Sequence, residues 1–333
     1  MSLKILSWNL ENFFLIPSTL PHIQRKPSEK VKKIKEVFLE LSPDIAFLTE
    51  VGGKDSLDEF NNKSLKDEYR VSLLKGNSPR GIEIGYLIKK KWLQRNDLIF
   101  DHISHSKKPI EFLYPHEKVQ NQKAMLKGKS PALKSHCLSR DLAELRVYRK
   151  KDTLKLKPIL VILGVHLKSK LDKDGIDWQG KRRRQAESKY LAKIYNKLYE
   201  KWNSSVPIFI TGDFNGEFHQ QQKDPEFNAI NEIEDLRDFT EQLSIPREEC
   251  FSFIGIDKHK RNVQMQLDYF LLSKKFYHLL EKKHCGFFRY KNEKGAPLPI
   301  PQNPGAKYGL PSDHYPLVVQ FNKDILDKVK SPS

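Results

Sequence analysis

Pro207-Ile208-Phe209-Ile210-Thr211-Gly212-Asp213-Phe214-Asn215 is the stretch on which the reading of the chain turns. A short apolar run closed by a glycine reads as a buried strand with its end marked. Asp213 and Asn215 then fall where sheet gives way to loop. Side chains alternate along an extended chain, so residues two apart point the same way. A carboxylate and an amide on one side can orient and deprotonate a water molecule. Taken alone, an Asp and an Asn after a strand most often build a turn. The rest of the chain decides between the two readings.

Other apolar runs end the same way. Leu3 to Trp8 reads as a first strand and delivers Asn9. Ser28 is placed to cap a helix with Val31, Ile34, Val37, Phe38 and Leu41 on its inner face and lysines opposite. Pro43 stops that helix, and Asp44 to Thr49 is a strand delivering Glu50 before Gly52-Gly53. Arg80 to Lys89 alternates as a strand with Ile82, Ile84, Tyr86 and Ile88 on one face. From about Lys107 to Ser139 the periodicity dissolves. Lys118 to Lys134 holds five lysines and no acid, which reads as a solvated loop or a basic substrate flap. Asp141 to Tyr148 and Pro158 to Val165 are strands, the second ending in His166. Lys181-Arg182-Arg183-Arg184 opens a helix to about Trp202, with Leu191, Ile194, Tyr195 and Leu198 inward. Cations at a helix start oppose its dipole, so a compensating anion is expected there, a phosphate backbone being one candidate. Gln266 to Leu272 is a strand containing Asp268. Pro316 to Val319 follows Asp313-His314. These elements predict an α/β class with mixed sheets, one domain over residues 1–321 and a helical or frayed tail over 322–333.

Composition narrows the partners. The 333 residues carry a formal net charge of +17, and the pI is about 9.5. Such an excess favours polyanions, nucleic acid first and anionic membranes or phosphorylated small molecules after it. No stretch approaches the roughly 20 apolar residues of a membrane span. The N-terminus shows no signal-peptide h-region. Cys137, Cys250 and Cys285 are widely spaced and odd in number, which reads as small buried hydrophobes in a reducing compartment. A cytoplasmic monomer is the expectation, a secreted form with a trimmed leader being the alternative. Trp8 reads as core, while Trp178 is a candidate platform for stacking bases.

Asn9, Glu50, His166, Asp213, Asn215, Asp313 and His314 all lie beside the end of an apolar run. If those strands are neighbours, their ends converge on one rim, and such a rim can hold a hard cation and a phosphate together. Ser-Trp-Asn-Leu-Glu (7–11), Thr-Glu-Val (49–51), His166-Leu-Lys-Ser, Gly-Asp-Phe-Asn (212–215), Leu-Asp-Tyr-Phe-Leu-Leu-Ser (267–273) and Ser-Asp-His (312–314) occur in that order. Together they resemble the endonuclease/exonuclease/phosphatase superfamily, the deoxyribonuclease I-like proteins, read here as a bacterial-type member over residues 3 to 320.

The resemblance implies a four-layer α/β sandwich, two mixed β-sheets face to face with helices outside, and Mg²⁺-dependent phosphoester hydrolysis (Mn²⁺ or Ca²⁺ as substitutes). It implies Glu50 as the main metal carboxylate, Asn9 beside it, Glu11 as a second-metal or supporting ligand, and Asp313 completing the metal or water network. Asp213, assisted by Asn215, would deprotonate the attacking water. His314 would stabilise the transition-state charge with Asp268 fixing its tautomer. His166 matches the second histidine of the deoxyribonuclease I and sphingomyelinase branches and departs from the asparagine of abasic endonucleases. Arg140 falls where several branches bind phosphate, and Lys181, Arg182 and Arg183 are further substrate contacts. Thr49 stands where many members have glutamine, which puts the hydrogen bond near Asn9 in question. The reading is a nuclease or DNA/RNA phosphodiesterase working by metal-assisted in-line water attack. A phosphatase or phospholipase C-like hydrolase of inositol phosphates or sphingomyelin, and an inactive nucleic-acid-binding protein, are the alternatives.

Overall fold

The structure is a computed structural model describing residues 2–17, 23–131, 133–172, 174–219, 222–257 and 259–327. In chain order the first strands are β1 (Leu3–Phe13), β2 (Ile45–Val51), β3 (Tyr69–Leu73), β4 (Glu83–Lys89), β5 (Leu98–Ser104), β6 (Leu142–Arg149), β7 (Leu160–His166) and β8 (Ile208–Asp213). Then come β9 (Phe218–His219), β10 (Gln222–Lys223), β11 (Leu236–Asp238), β12 (Phe253–Ile256), β13 (Asn262–Met265), β14 (Asp268–Ser273), β15 (Gly286–Phe287) and β16 (Leu317–Phe321). The helices used below are α1 (Ser28–Leu41), α2 (Lys54–Ser64), α3 (Lys90–Arg95), α4 (Pro115–Leu126) and α5 (Lys181–Lys201).

Two six-stranded sheets carry the architecture, ordered β15-β16-β1-β2-β4-β3 and β11-β14-β8-β7-β6-β5. Each has one parallel pair at its centre, β1 with β2 and β7 with β8, among antiparallel neighbours. Period-two alternation builds the layers. Ile5, Ile45, Phe47, Ile84, Tyr86 and Ile88 enter the core that includes the second sheet and α5. Their neighbours Leu6, Trp8, Ala46, Leu48 and Leu87 enter a separate core with Ile34, Val37 and Phe38 of α1 and Leu57 and Phe60 of α2. The four-layer α/β sandwich of two mixed sheets flanked by helices is the observed fold.

Differences from the sequence expectation have local causes. Ser28 does not cap α1: it is the first helical residue, after Pro27, and no side-chain cap bond forms. β1 runs on to Phe13. Much of the lysine-rich stretch is helical, because Pro115 suits the first helical turn and Glu117 accepts a hydrogen bond from the Tyr114 N–H at 2.7 Å. At α5 the compensating anion is internal: Asp177 accepts from the N–H groups of Arg182 and Arg183 at 3.0 and 2.9 Å. Arg184 is fully buried and paired with Glu226, and its Nη1 donates to the carbonyls of Lys168 and Gln179. Trp8 is core, as its sequence context predicts. Of the cysteines, Cys250 is buried while Cys137 and Cys285 are half-buried, and all three are free. Residues 323–326 of the expected tail form a turn that buries Ile325 and Leu326, and 328–333 lie outside the described residues.

The two sheets meet around the Phe47 side chain. A Cβ on Gly164 of β7 would lie 2.2 Å from the Phe47 ring, and one on Gly212 of β8 would lie 2.8 Å from it and 2.0 Å from the Val165 carbonyl. Gly212 also has φ +130°, which side-chain-bearing residues rarely adopt. Glycine at both positions is what lets Phe47 of the first sheet seat against the second. Gly164→Ala is expected to cost about 1–3 kcal/mol through overpacking, read from the urea midpoint. Phe47→Leu in the same chain should recover part of the loss. An unchanged midpoint in Gly164→Ala would contradict this contact.

Candidate active site

Sheet register puts three polar residues in a row. Asp213 pairs with His166 of β7 on one side and with Asp268 of β14 on the other. All three are buried. The first sheet reaches the same carboxylate: Asn9 Nδ2 donates to Asp213 Oδ2 at 3.0 Å. Asp213 Oδ1 accepts from the Asn215 N–H at 2.8 Å, and Asn215 Nδ2 donates to the Leu167 carbonyl at 3.1 Å. His166 Nε2 lies 3.5 Å from Asp213 Oδ2, and its Nδ1 is buried with no partner among the described residues. Strand alternation therefore does not set the Asn215 contact: with a left-handed φ of 53°, Asn215 meets Asp213 through its backbone N–H and sends its side-chain amide to the Leu167 carbonyl.

His314 is fixed by the first sheet and paired with the second. The Ser312 hydroxyl donates to the Asn9 carbonyl at 2.7 Å and accepts from the His314 N–H at 3.1 Å. Trp8 Nε1 donates to the His314 carbonyl at 2.8 Å, and the Tyr290 hydroxyl bonds the same oxygen. The ring's Nδ1 is 2.6 Å from Asp268 Oδ2. Asp268 is itself held by its own N–H, which donates to the Ser252 hydroxyl at 2.9 Å. Phe253 lies edge-on to the imidazole at 5.1 Å between centroids.

Both central strands of the first sheet break register at the site, between Asn9 and Phe13 in β1 and between Leu48 and Val51 where β2 meets β4. Glu11, Asn12 and Glu50 adopt left-handed φ values of 49°, 52° and 57°. Such backbone is uncommon outside turns, clusters at functional sites and re-aims side chains. It swings Glu50 onto the rim, where Oε2 accepts from the Asn12 N–H at 3.0 Å. Glu11 goes elsewhere: Lys26 and Lys30 approach its Oε2 at 3.2 and 2.9 Å. Asp313 Oδ2 pairs with Lys307 Nζ at 3.0 Å. Thr49 Oγ1 has no hydrogen-bond partner among the described residues, and Asn9 Oδ1 accepts from the Glu11 N–H at 2.9 Å.

Charge in this enclosure is tightly coupled. Burial, with the Asp268 charge beside it, pushes Asp213 up to about 7 against the pull of His314 and two hydrogen bonds. Burial alone would strip His314 of its proton, but Asp268, Asp213 and Asp313 outweigh it and raise the imidazole to about 10. His166 goes the other way: burial and the positive charges of Arg140, His314 and Arg80 hold it well below the usual histidine range. One histidine is therefore a cation and the other neutral at pH 7.

Beside these groups opens a cleft of about 620 Å³, its cationic lining formed by Arg80, Arg140, Lys168 and Arg183. Arg140 is buried, with Nη1 donating to the Leu167 carbonyl at 2.9 Å. Arg80 reaches Asn12 Oδ1 at 2.6 Å. Of the three basic residues assigned at the start of α5, only Arg183 enters this cleft. Arg182 lines a different groove, and Lys181 Nζ sits 4.8 Å from the Trp178 ring. Sequence reasoning missed Arg80, Lys168 and Ser312. Arg80 and Lys168 each adjoin a strand end already singled out, which is the signal that marks them. Among the described residues no group of three or more His, Cys, Asp or Glu is arranged to hold a metal ion. The oxygen donors of Glu50 and Asn9 suit Mg²⁺, which needs only one or two carboxylates when water and substrate phosphate complete its shell. No helix is long and apolar enough to cross a membrane among the described residues.

No family profile and no curated protein matches the chain by sequence. Solved structures match it in fold. TDP2 of D. rerio complexed with a single-strand DNA product is 16% identical, with a TM-score of 0.58 over 97% of this chain and 99% of that one. The human Nocturnin catalytic domain with bound sulfate is 18% identical, with a TM-score of 0.57 over 96% and 93%. An endonuclease/exonuclease/phosphatase family protein from Bacteroides thetaiotaomicron is 15% identical, with a TM-score of 0.55 over 97% and 96%. The chain has the deoxyribonuclease I-like fold of the endonuclease/exonuclease/phosphatase proteins.

Proposed function

We propose that residues 1–321 form a metal-dependent phosphodiesterase that hydrolyses nucleic-acid strands by in-line attack of water. The observation that carries this reading is the buried trio of Asp213, Asp268 and His314. It sets a carboxylate of pKa about 7 beside an imidazolium of pKa about 10. A base and an acid with separated pKa values are what proton transfer at neutral pH requires. The single-strand DNA product held by the TDP2 structure supports the nucleic-acid version.

In this proposal Asp213 takes the proton of the attacking water, with Asn9 and Asn215 holding the carboxylate in place. His314, oriented by Asp268, donates through Nε2 to a phosphate oxygen as charge builds there. Neutral His166 adds a second donor, and Arg140 and Arg80 supply positive charge along the substrate. Glu50 and Asn9 would hold Mg²⁺, which when bound neutralises phosphate charge and orients the ester. Glu11, shared by two lysines, would tie β1 to α1 and the segment before it, and Asp313 would hold Lys307. The same four-cation cleft also suits a small, multiply phosphorylated molecule, which is the second reading.

Supercoiled plasmid and a single-stranded oligonucleotide are the substrates to test with Mg²⁺ and with chelator. Cleavage should require the metal, and His314→Ala should lose about 10²–10⁴-fold of it. Intact DNA and RNA alongside turnover of inositol phosphates would select the second reading. The pH profile gives a separate check. Asp213 works ionised, so the rate should fall as pH drops through about 7. His314 works protonated, so the rate should fall again as pH rises through about 10. His314→Gln should remove the alkaline limb; a limb that persists would take His314 out of the acid role.

A further inference from the structure

Arg183 stands between two clefts. Its Nη2 donates to the Cys137 carbonyl at 2.6 Å, on the wall of the cationic cleft that Arg80, Arg140 and Lys168 also line. Its guanidinium also lies 5.8 Å from the ring centroid of Phe112, which lines a second groove of about 480 Å³. That groove runs between the entry to α4 and the outer face of α5. Ile110, Phe112, Pro115 and Ala186 give it an apolar floor, and Lys118, Arg182, Lys189 and Lys193 supply its cations. Its one acid, Glu111, is paired with Lys193 at 2.9 Å. Past the groove, α5 continues the row with exposed Lys197 and Lys201. At its start stands Trp178, 70% exposed and next to Lys181.

From this continuity we infer that the groove between α4 and α5 is a second subsite, which takes the continuation of a single nucleic-acid strand cleaved at the Asp213–His314 centre. Arg183 is the crossing point. The inference rests on the nuclease reading above. A positively charged rim tracks the phosphates of such a strand, and apolar or aromatic floor takes base faces, the combination that unpaired strands use. A duplex hides those faces and exceeds the groove. Glu111 pairs with Lys193 where both side chains are exposed, while Asp177 and the Glu226 partner of Arg184 are engaged within α5 and its packing.

The test pairs binding with turnover in the full chain. Binding of a labelled single strand of about 16 nucleotides, near the upper end of single-strand site sizes, is measured by anisotropy across a salt series with chelator present. Wild type should bind it more tightly than a dinucleotide. Lys189→Glu with Lys193→Glu should reduce the slope of log K against log salt by about 1.4, as expected when two phosphates of a single strand are no longer neutralised. Lys189→Gln with Lys193→Gln should reduce it too, which separates removal of the two cations from added repulsion. The KM for the long strand should rise while turnover of a dinucleotide substrate stays as in wild type. Equal slopes in wild type and both variants, or no advantage of length in wild type, would overturn the subsite while leaving hydrolysis intact. Failure to cleave any strand, with the length-dependent slope present, would instead overturn the nuclease reading.

Discussion

Phe47 reaches the opposite sheet because residues 164 and 212 have no side chains to exclude it. That steric permission fixes the depth and register at which the sheets meet, and everything at the rim inherits it. Asn9, which lies 204 residues from Asp213 along the chain, is brought to hydrogen-bond it across the seam. With the seam closed, Asp213, Asp268, His166 and His314 are all buried together. Burial is then what separates the pKa values: with little solvent to screen it, each charge is set by its neighbours. Packing at a phenylalanine and two glycines therefore underlies the acid–base chemistry proposed for the site.

Much of this is legible in the sequence because strand ends are local features. Apolar runs closed by Gly212, by Gly52 or by a histidine mark where the sheets stop, and the polar residue beside each belongs to the rim. His166, Asp213 and Asp268 sit in register as neighbours on three strands, which the pattern alone can place on one edge but not side by side. What the sequence hides depends on distant partners. Glu50 reaches the rim through a left-handed residue in a strand, a conformation that local propensity disfavours. Glu11 reads from sequence as a second-metal or supporting ligand, but Lys26 and Lys30, brought in by α1 and the segment before it, pair with its carboxylate.

Charge is the least legible property. The run from Lys181 to Arg184 reads as one basic patch, yet its members go to four environments: a tryptophan face, an outer groove, the catalytic cleft and a buried ion pair. Helical geometry turns consecutive side chains about a cylinder, so adjacent charges seldom share a partner. The excess of +17 goes partly into structure, partly to exposed lysines spread over the chain, and partly to the four cations that line the cleft beside Asp213 and His314.

Asp213 and His314 are proposed to act as one unit in phosphodiester hydrolysis. A kinetic double-mutant cycle tests it most directly: kcat/KM on a single-stranded oligonucleotide for wild type, Asp213→Asn, His314→Gln and the double variant. Residues that share one proton-transfer step are strongly non-additive, so the double variant should be about as slow as the slower single one. Losses that simply multiply would mean that the two side chains work independently, and would contradict the account.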